Sequence, residues 1–126
     1  MASTIPSVIR NVPPGNPALG EVRTDPSRLI GARVRWGGTI VAVENHAWES
    51  WIEIVVRHLD RDGRPQESGA SEGRFLARID GFVDPVVYTE GQLLTVVGAL
   101  EEPVTRLIGD FSYAFPTTSR KSLHSE

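Results

Sequence analysis

The 126 residues carry 13 basic against 16 acidic side chains, for a formal net charge of −3, and 40% of them are hydrophobic. That composition supports one domain with its own core. Its mild acidity argues against a primary role on nucleic acid or anionic lipid, where lysines and arginines cluster. With no cysteine, disulfide frameworks, thiolate zinc sites, iron–sulfur clusters and a cysteine nucleophile are excluded together. No apolar run approaches the ~18–20 residues of a membrane span. The opening MASTIPSVIRNVPPG also lacks an uninterrupted hydrophobic signal region. The chain reads as soluble, or as one whose targeting segment has been removed.

Pro6, Pro13, Pro14, Pro17 and Pro26 crowd the start of the chain together with Gly15 and Gly20, which predicts a proline-rich flexible tether over residues 1–25. Apolar runs punctuated by Gly, Pro and Asp clusters then set an all-β rhythm over residues 26–116. The first expected strand, residues 33–44 (RVRWGGTIVAVE), contains Gly37-Gly38, which predicts a bulge or sharp bend. The second, residues 51–59 (WIEIVVRHL), places Ile52, Ile54 and Val56 on a core face, with Trp51, Glu53, Val55 and Arg57 opposite. After a loop at residues 60–73, residues 74–79 (RFLARI) turn Phe75, Ala77 and Ile79 inward and Arg74 and Arg78 outward. A turn or one to two helical turns lead to a fourth strand at residues 92–100 (QLLTVVGAL), and a last one covers residues 112–115. Residues 117–126 (TTSRKSLHSE) read as a polar, frayed C-terminal tail. Five short strands with a glycine-marked bend predict a small five-stranded OB-like β-barrel, whose closure removes exposed sheet edges.

Several blocks in this order carry a resemblance. They are GARVRWGGTIVAVEN at residues 31–45, Leu59-Asp60 leading to Gly63-Arg64-Pro65, and EGRFLARIDGFVDP at residues 72–85. GQLLTVVG at residues 91–98 and IGDFSYAFP at residues 108–116 complete the set. The body resembles the Slp family, the starvation-inducible outer-membrane lipoproteins of Gram-negative envelopes. The resemblance implies a non-enzymatic, stress-related envelope protein that is exported, cleaved before a cysteine, lipidated there and held at the outer membrane. It would lie on the periplasmic or surface face, with an envelope protein as a possible partner. Two departures stand out: no cysteine is present to bear the lipid, and after Pro116 the chain turns polar where family members continue with a hydrophobic segment ending near a Trp.

The residues themselves offer little catalytic chemistry. His46, His58 and His124 fall in a loop, a strand and a tail, without metal-ligand spacing. No G-x-S-x-G elbow occurs, and the serines concentrate at the ends and in the Ser68 to Ser71 loop. The pairs Asp60 and Asp62, Asp80 and Asp84, and Glu101 and Glu102 sit at turns, where carboxylates serve local hydrogen bonding. The fragment Asp60-Arg61-Asp62-Gly63 lacks the further ligands of a calcium loop. Gly37-Gly38 lies within a strand and cannot cradle phosphate at a helix start. No catalytic residue, metal or cofactor is therefore expected.

Binding is the more open class, because OB-type barrels use the exposed faces of strands two and three. Trp48 and Trp51, with Arg57, Arg74 and Arg78 nearby, would furnish such a platform for single-stranded nucleic acid or oligosaccharide. Glu44, Glu49 and Glu53 interleave with the same tryptophans and oppose nucleic acid. Trp48, beside His46 in a short loop, has no obvious core role and stands as a contact for a protein, ligand or lipid interface. His46, Trp48, Trp51, Arg74 and Arg78 are thus the expected ligand- or partner-binding residues.

Overall fold

The computed structural model describes residues 5–66 and 71–125. Its strands are β1 (Arg33–Asn45), β2 (Glu49–Val56), β3 (Arg74–Asp80), β4 (Leu93–Ile108), β5 (Phe111–Ser119) and β6 (Ser122–Ser125). β1 pairs antiparallel with β2 and also with β4. β2 pairs with β3, β4 with β5, and β3 runs parallel to β5, so five strands close into a ring. β6 adds to the edge of β4, from Leu94↔Ser125 to Val97↔Ser122.

Closing five strands into a ring requires them to tilt and coil, and Gly38 sits where β1 is paired on both edges. It stands opposite Val56 of β2 and Leu94 of β4. A Cβ at Gly38 would lie 1.8 Å from the Val55 carbonyl oxygen, so only glycine admits this approach. The register shift lies further on, between Ile40 and Ala42. The bulge expected at Gly37-Gly38 thus falls at Val41 instead, and the glycines serve a close backbone approach.

The ring encloses the core that the alternation marked. Ile52, Ile54, Phe75, Ala77 and Ile79 point inward with Val34, Trp36, Leu94 and Val96. Trp36 meets Phe75 edge to face at 5.3 Å, the arrangement favoured by aromatic quadrupoles. Each large apolar side chain so buried contributes about 1.5–3 kcal/mol.

Both chain ends depart from the expectation of loose tails. The N-terminal segment forms α1 (Ser7–Arg10) and α2 (Leu19–Thr24), followed by a 3₁₀ turn at Ser27–Leu29. Ile5 and Ile9 pack on Val97, while Leu19 and Val22 join the main core. The Trp36 indole N–H donates to the Pro17 carbonyl at 2.9 Å, and the Arg35 backbone N–H to Asn16 Oδ1 at 2.7 Å. Prolines lack an N–H, so such a segment can lie against a sheet with few donors left to satisfy. Its four apolar side chains then hold it there. Residues 1–4 of the expected tether lie outside the described residues.

At the other end, Thr117 and Thr118 are buried in β5, and Leu123 of β6 packs against the core. Polar side chains did not prevent this, because strand pairing recruits the backbone, whatever the side chains. The loop after β2 begins as a tight turn in which Asp60 Oδ1 accepts from the Asp62 and Arg64 N–H groups at 2.8 and 3.0 Å. Its residues 67–70, Ser68 included, lie outside the described residues. The β3–β4 connector is a turn around Asp84, whose carbonyl accepts from Val87 and Tyr88.

Candidate functional site

The β1–β2 hairpin turns between Asn45 and Glu49, with the His46 N–H donating to the Glu49 carbonyl at 2.8 Å. This tip is fastened to the β3–β4 connector. The Trp48 carbonyl accepts from the Gly81 N–H at 3.2 Å, the Asn45 amide donates to the Val83 carbonyl at 2.9 Å, and the Val83 N–H donates back to Asn45 Oδ1 at 2.8 Å. The Ser50 hydroxyl adds a bond to the Gly81 carbonyl at 2.7 Å. On this braced support the Trp48 side chain is 87% exposed and Phe82 72% exposed, with Val86 also in solvent. His46 is exposed beside Trp48. The tip of the β4–β5 hairpin comes to the same end, since Arg106 pairs with Glu44, and it exposes Leu107 and Phe111.

Trp51, Arg74 and Arg78 belong to a different surface, the outward face of β2 and β3. That face is covered. Beyond a register shift between Glu101 and Val104, the β4–β5 hairpin brings Val104, Ile108, Tyr113 and Phe115 into a cluster with Leu76 and Trp51. The Arg106 guanidinium lies 5.3 Å above the Trp51 ring, and the Tyr113 hydroxyl accepts from the Arg74 N–H at 3.0 Å. The expected open platform of strands two and three is thus occupied by the chain's own hairpin.

The arginines of that face are also committed. Arg78 grips Glu101 with Nε and Nη2 at 2.8 and 2.7 Å and reaches Asp80 with Nη1 at 2.8 Å. The side-chain hydrogen bond to Glu101 is the main cause of its raised proton affinity. Arg74 donates to Glu53 at 2.6 Å. A charge-balanced lattice of this kind leaves little positive potential for a phosphate backbone. The structure therefore brings His46 and Trp48 together at one end, and sets Trp51, Arg74 and Arg78 apart from them as packing and ion-pair residues.

Phe82, Phe111 and Arg106 complete these surfaces without having been picked out from sequence. The available signal was Phe82 in the turn sequence Gly81-Phe82-Val83-Asp84-Pro85, where alternation gives no inward face. A second was Leu76, an apolar residue at an outward position of β3, which requires a cover. Among the described residues no group of three or more His, Cys, Asp or Glu is placed to hold a metal ion, and nothing points to catalysis. Among them, too, no helix is long and apolar enough to cross a membrane, which leaves strands unaddressed.

Comparison with known proteins decides the relationship. The sequence pattern of the Outer membrane lipoprotein Slp family matches residues 2–125. The chain belongs to the Slp family. Within the family it is 37% identical over 113 residues to the "Uncharacterized lipoprotein YeaY" of Escherichia coli (strain K12), covering 89% of this chain and 58% of the relative. It is 31% identical over 115 residues to the "Outer membrane protein Slp" of the same organism, covering 90% and 61%. The chain thus spans about three-fifths of the length of these curated relatives. Among solved structures, a small single-stranded DNA-binding protein from Streptomyces coelicolor superposes with a TM-score of 0.49 at 12% identity, over 76% of this chain and 94% of the other. Slp-family membership accounts for the dispersed blocks from residue 31 to residue 116 as a whole.

Proposed function

We propose that this chain is the folded body of a non-enzymatic outer-membrane lipoprotein, held at the membrane by a lipid in its native form and serving the envelope under stress. The carrying observation is the family match over residues 2–125. No cysteine stands in these 126 residues, so the acyl-bearing residue lies outside them in this reading. An acyl chain would supply about 0.8 kcal/mol per buried CH₂ to that attachment. The ring order β1-β2-β3-β5-β4-β1, with its one parallel pair, is read as an OB-type barrel carrying this function. The working surface on this reading is the end bearing His46, Trp48 and Phe82, which suits another envelope protein: exposed aromatics on a braced support make rigid contacts at small entropic cost.

The alternative of an OB-type module for single-stranded nucleic acid or oligosaccharide is disfavoured by the covered β2–β3 face and by Arg74 and Arg78 being paired with carboxylates. The deciding experiment labels the full-length native gene product with a radiolabelled fatty acid and fractionates the membranes. Label in the outer-membrane fraction is expected. An unlabelled, soluble product would overturn the lipoprotein reading.

A further inference from the structure

Two segments meet at the Trp48 end, the β1–β2 turn and the β3–β4 connector, and both leave apolar side chains in solvent. Trp48, Phe82, Val86 and Val87 are exposed there, although the backbones that carry them are hydrogen-bonded to one another. Beside them, the connector and the edge of β1 enclose a cavity of about 360 Å³ whose apolar lining is Val41, Val43, Pro85 and Tyr88. Single exposed apolar residues are ordinary, whereas a group sharing one fixed support marks a contact surface.

The charge around this surface is predominantly negative. Glu44, Glu49, Asp80 and Asp84 stand at the ends of the two segments. Arg78 and Arg106 are the guanidiniums that reach the first three, and Arg78 is also gripped by Glu101. Asp84 accepts the Val86 N–H at 2.9 Å and makes no ion pair among the described residues. The rings point the same way. Trp51 carries the Arg106 guanidinium at 5.3 Å and Tyr113 that of Arg23 at 4.6 Å, while among the described residues Trp48 carries none.

We propose that this end docks a basic segment of a partner protein, in which lysines or arginines alternate with apolar side chains. A cation is taken by the Trp48 ring with Asp80 and Asp84, and an apolar neighbour enters the cavity at Val43 and Tyr88. The indole quadrupole and the carboxylates attract the same cation, so the two effects reinforce each other. Those charges also disfavour the other occupants. A second copy of the chain would set like carboxylates against each other, and anionic lipid headgroups would meet the same repulsion. The inference rests on reading this end as the working surface and needs no lipid anchor.

The test titrates the ¹⁵N-labelled chain with a peptide of three Leu-Lys-Lys-Leu repeats while following the Trp48 indole and Phe82 amide resonances. A saturable shift is expected. Repeats of Leu-Glu-Glu-Leu, which keep the apolar side chains and reverse the charge, and of Ser-Lys-Lys-Ser, which keep the charge alone, should each bind at least about tenfold more weakly. Trp48→Ala, read at the Phe82 amide, should weaken the basic peptide by about tenfold, and Asp84→Asn, which keeps an acceptor for the Val86 N–H, by about threefold. No saturable shift, either control matching the basic peptide, or unchanged affinity in W48A would overturn the proposal. So would Trp48-dependent sedimentation with phosphatidylcholine vesicles, which would make this end a bilayer contact. An unlabelled gene product in the fatty-acid experiment would sink the lipoprotein reading and leave this binding intact, whereas a labelled product without peptide binding would do the reverse.

Discussion

Each end of the β1–β2 hairpin carries a tryptophan, and the chain treats the two in opposite ways. Trp36, at the open end, is 6% exposed and roofed by the N-terminal segment, to which its indole N–H is bonded. Trp48, at the tip, is 87% exposed even though its own backbone is fastened to Gly81. Rigid support with a bare side chain differs from a floppy loop: the hydrogen bonds that hold the tip leave the ring in water. The contrast teaches that the apolar chemistry of the two ends is similar, and that among the described residues the chain covers the Trp36 end and leaves the Trp48 ring bare.

The comparison can be broken most strongly at the shared core. Phe75→Ala removes the partner of Trp36 and opens a cavity, and should lower unfolding free energy by about 3–5 kcal/mol in denaturant titration. Ile9→Ala, which loosens the N-terminal segment where it packs on Val97 of β4, should cost less, about 2–3 kcal/mol, and should speed proteolytic cleavage near α1. If Ile9→Ala left both stability and cleavage unchanged, the closed end would be no more closed than the tip.

Smaller effects sharpen the picture. Asp60→Ala removes the acceptor of the Asp62 and Arg64 N–H groups and should cost about 1 kcal/mol or less at neutral pH. The Arg64 N–H bond leads the causes that hold the Asp60 carboxyl below its ordinary 3.8. The stability it contributes is therefore complete above that value and is lost as pH falls through the lower folded one. Thermal melts of wild type and D60A should accordingly converge on acidification. Trp48→Ala stands last, with less than about 0.5 kcal/mol expected on stability and its effect confined to partner capture in envelope extracts.

How much of this was legible in the sequence differs by region for physical reasons. The strands of the ring announce themselves, because Ile52, Ile54, Phe75, Ala77 and Ile79 alternate with polar neighbours and one face is buried. Trp48 was legible as an exposed loop residue for the same reason, by having no place in any alternation. The N-terminal segment was opaque: Ile5, Ile9, Leu19 and Val22 are divided between two helices of four and six residues, too short to show a 3.6-residue period. The strand in the tail is hidden in the sequence because β6 is held by backbone pairing to β4, which side-chain polarity does not report. The β2–β3 face was expected to be open because the pairing partners of a strand are visible in its pattern, whereas a hairpin folding over its outer surface is not. Leu76 was its one trace.

Indole hydrogen exchange followed by NMR reads both ends of the hairpin in one experiment and tests the central contrast most directly. The Trp36 Nε1–H, buried and donated to Pro17, should persist long after the Trp48 Nε1–H has exchanged with solvent. Equal, fast exchange of the two would contradict the account, because it would mean that the N-terminal segment does not close its end of the ring.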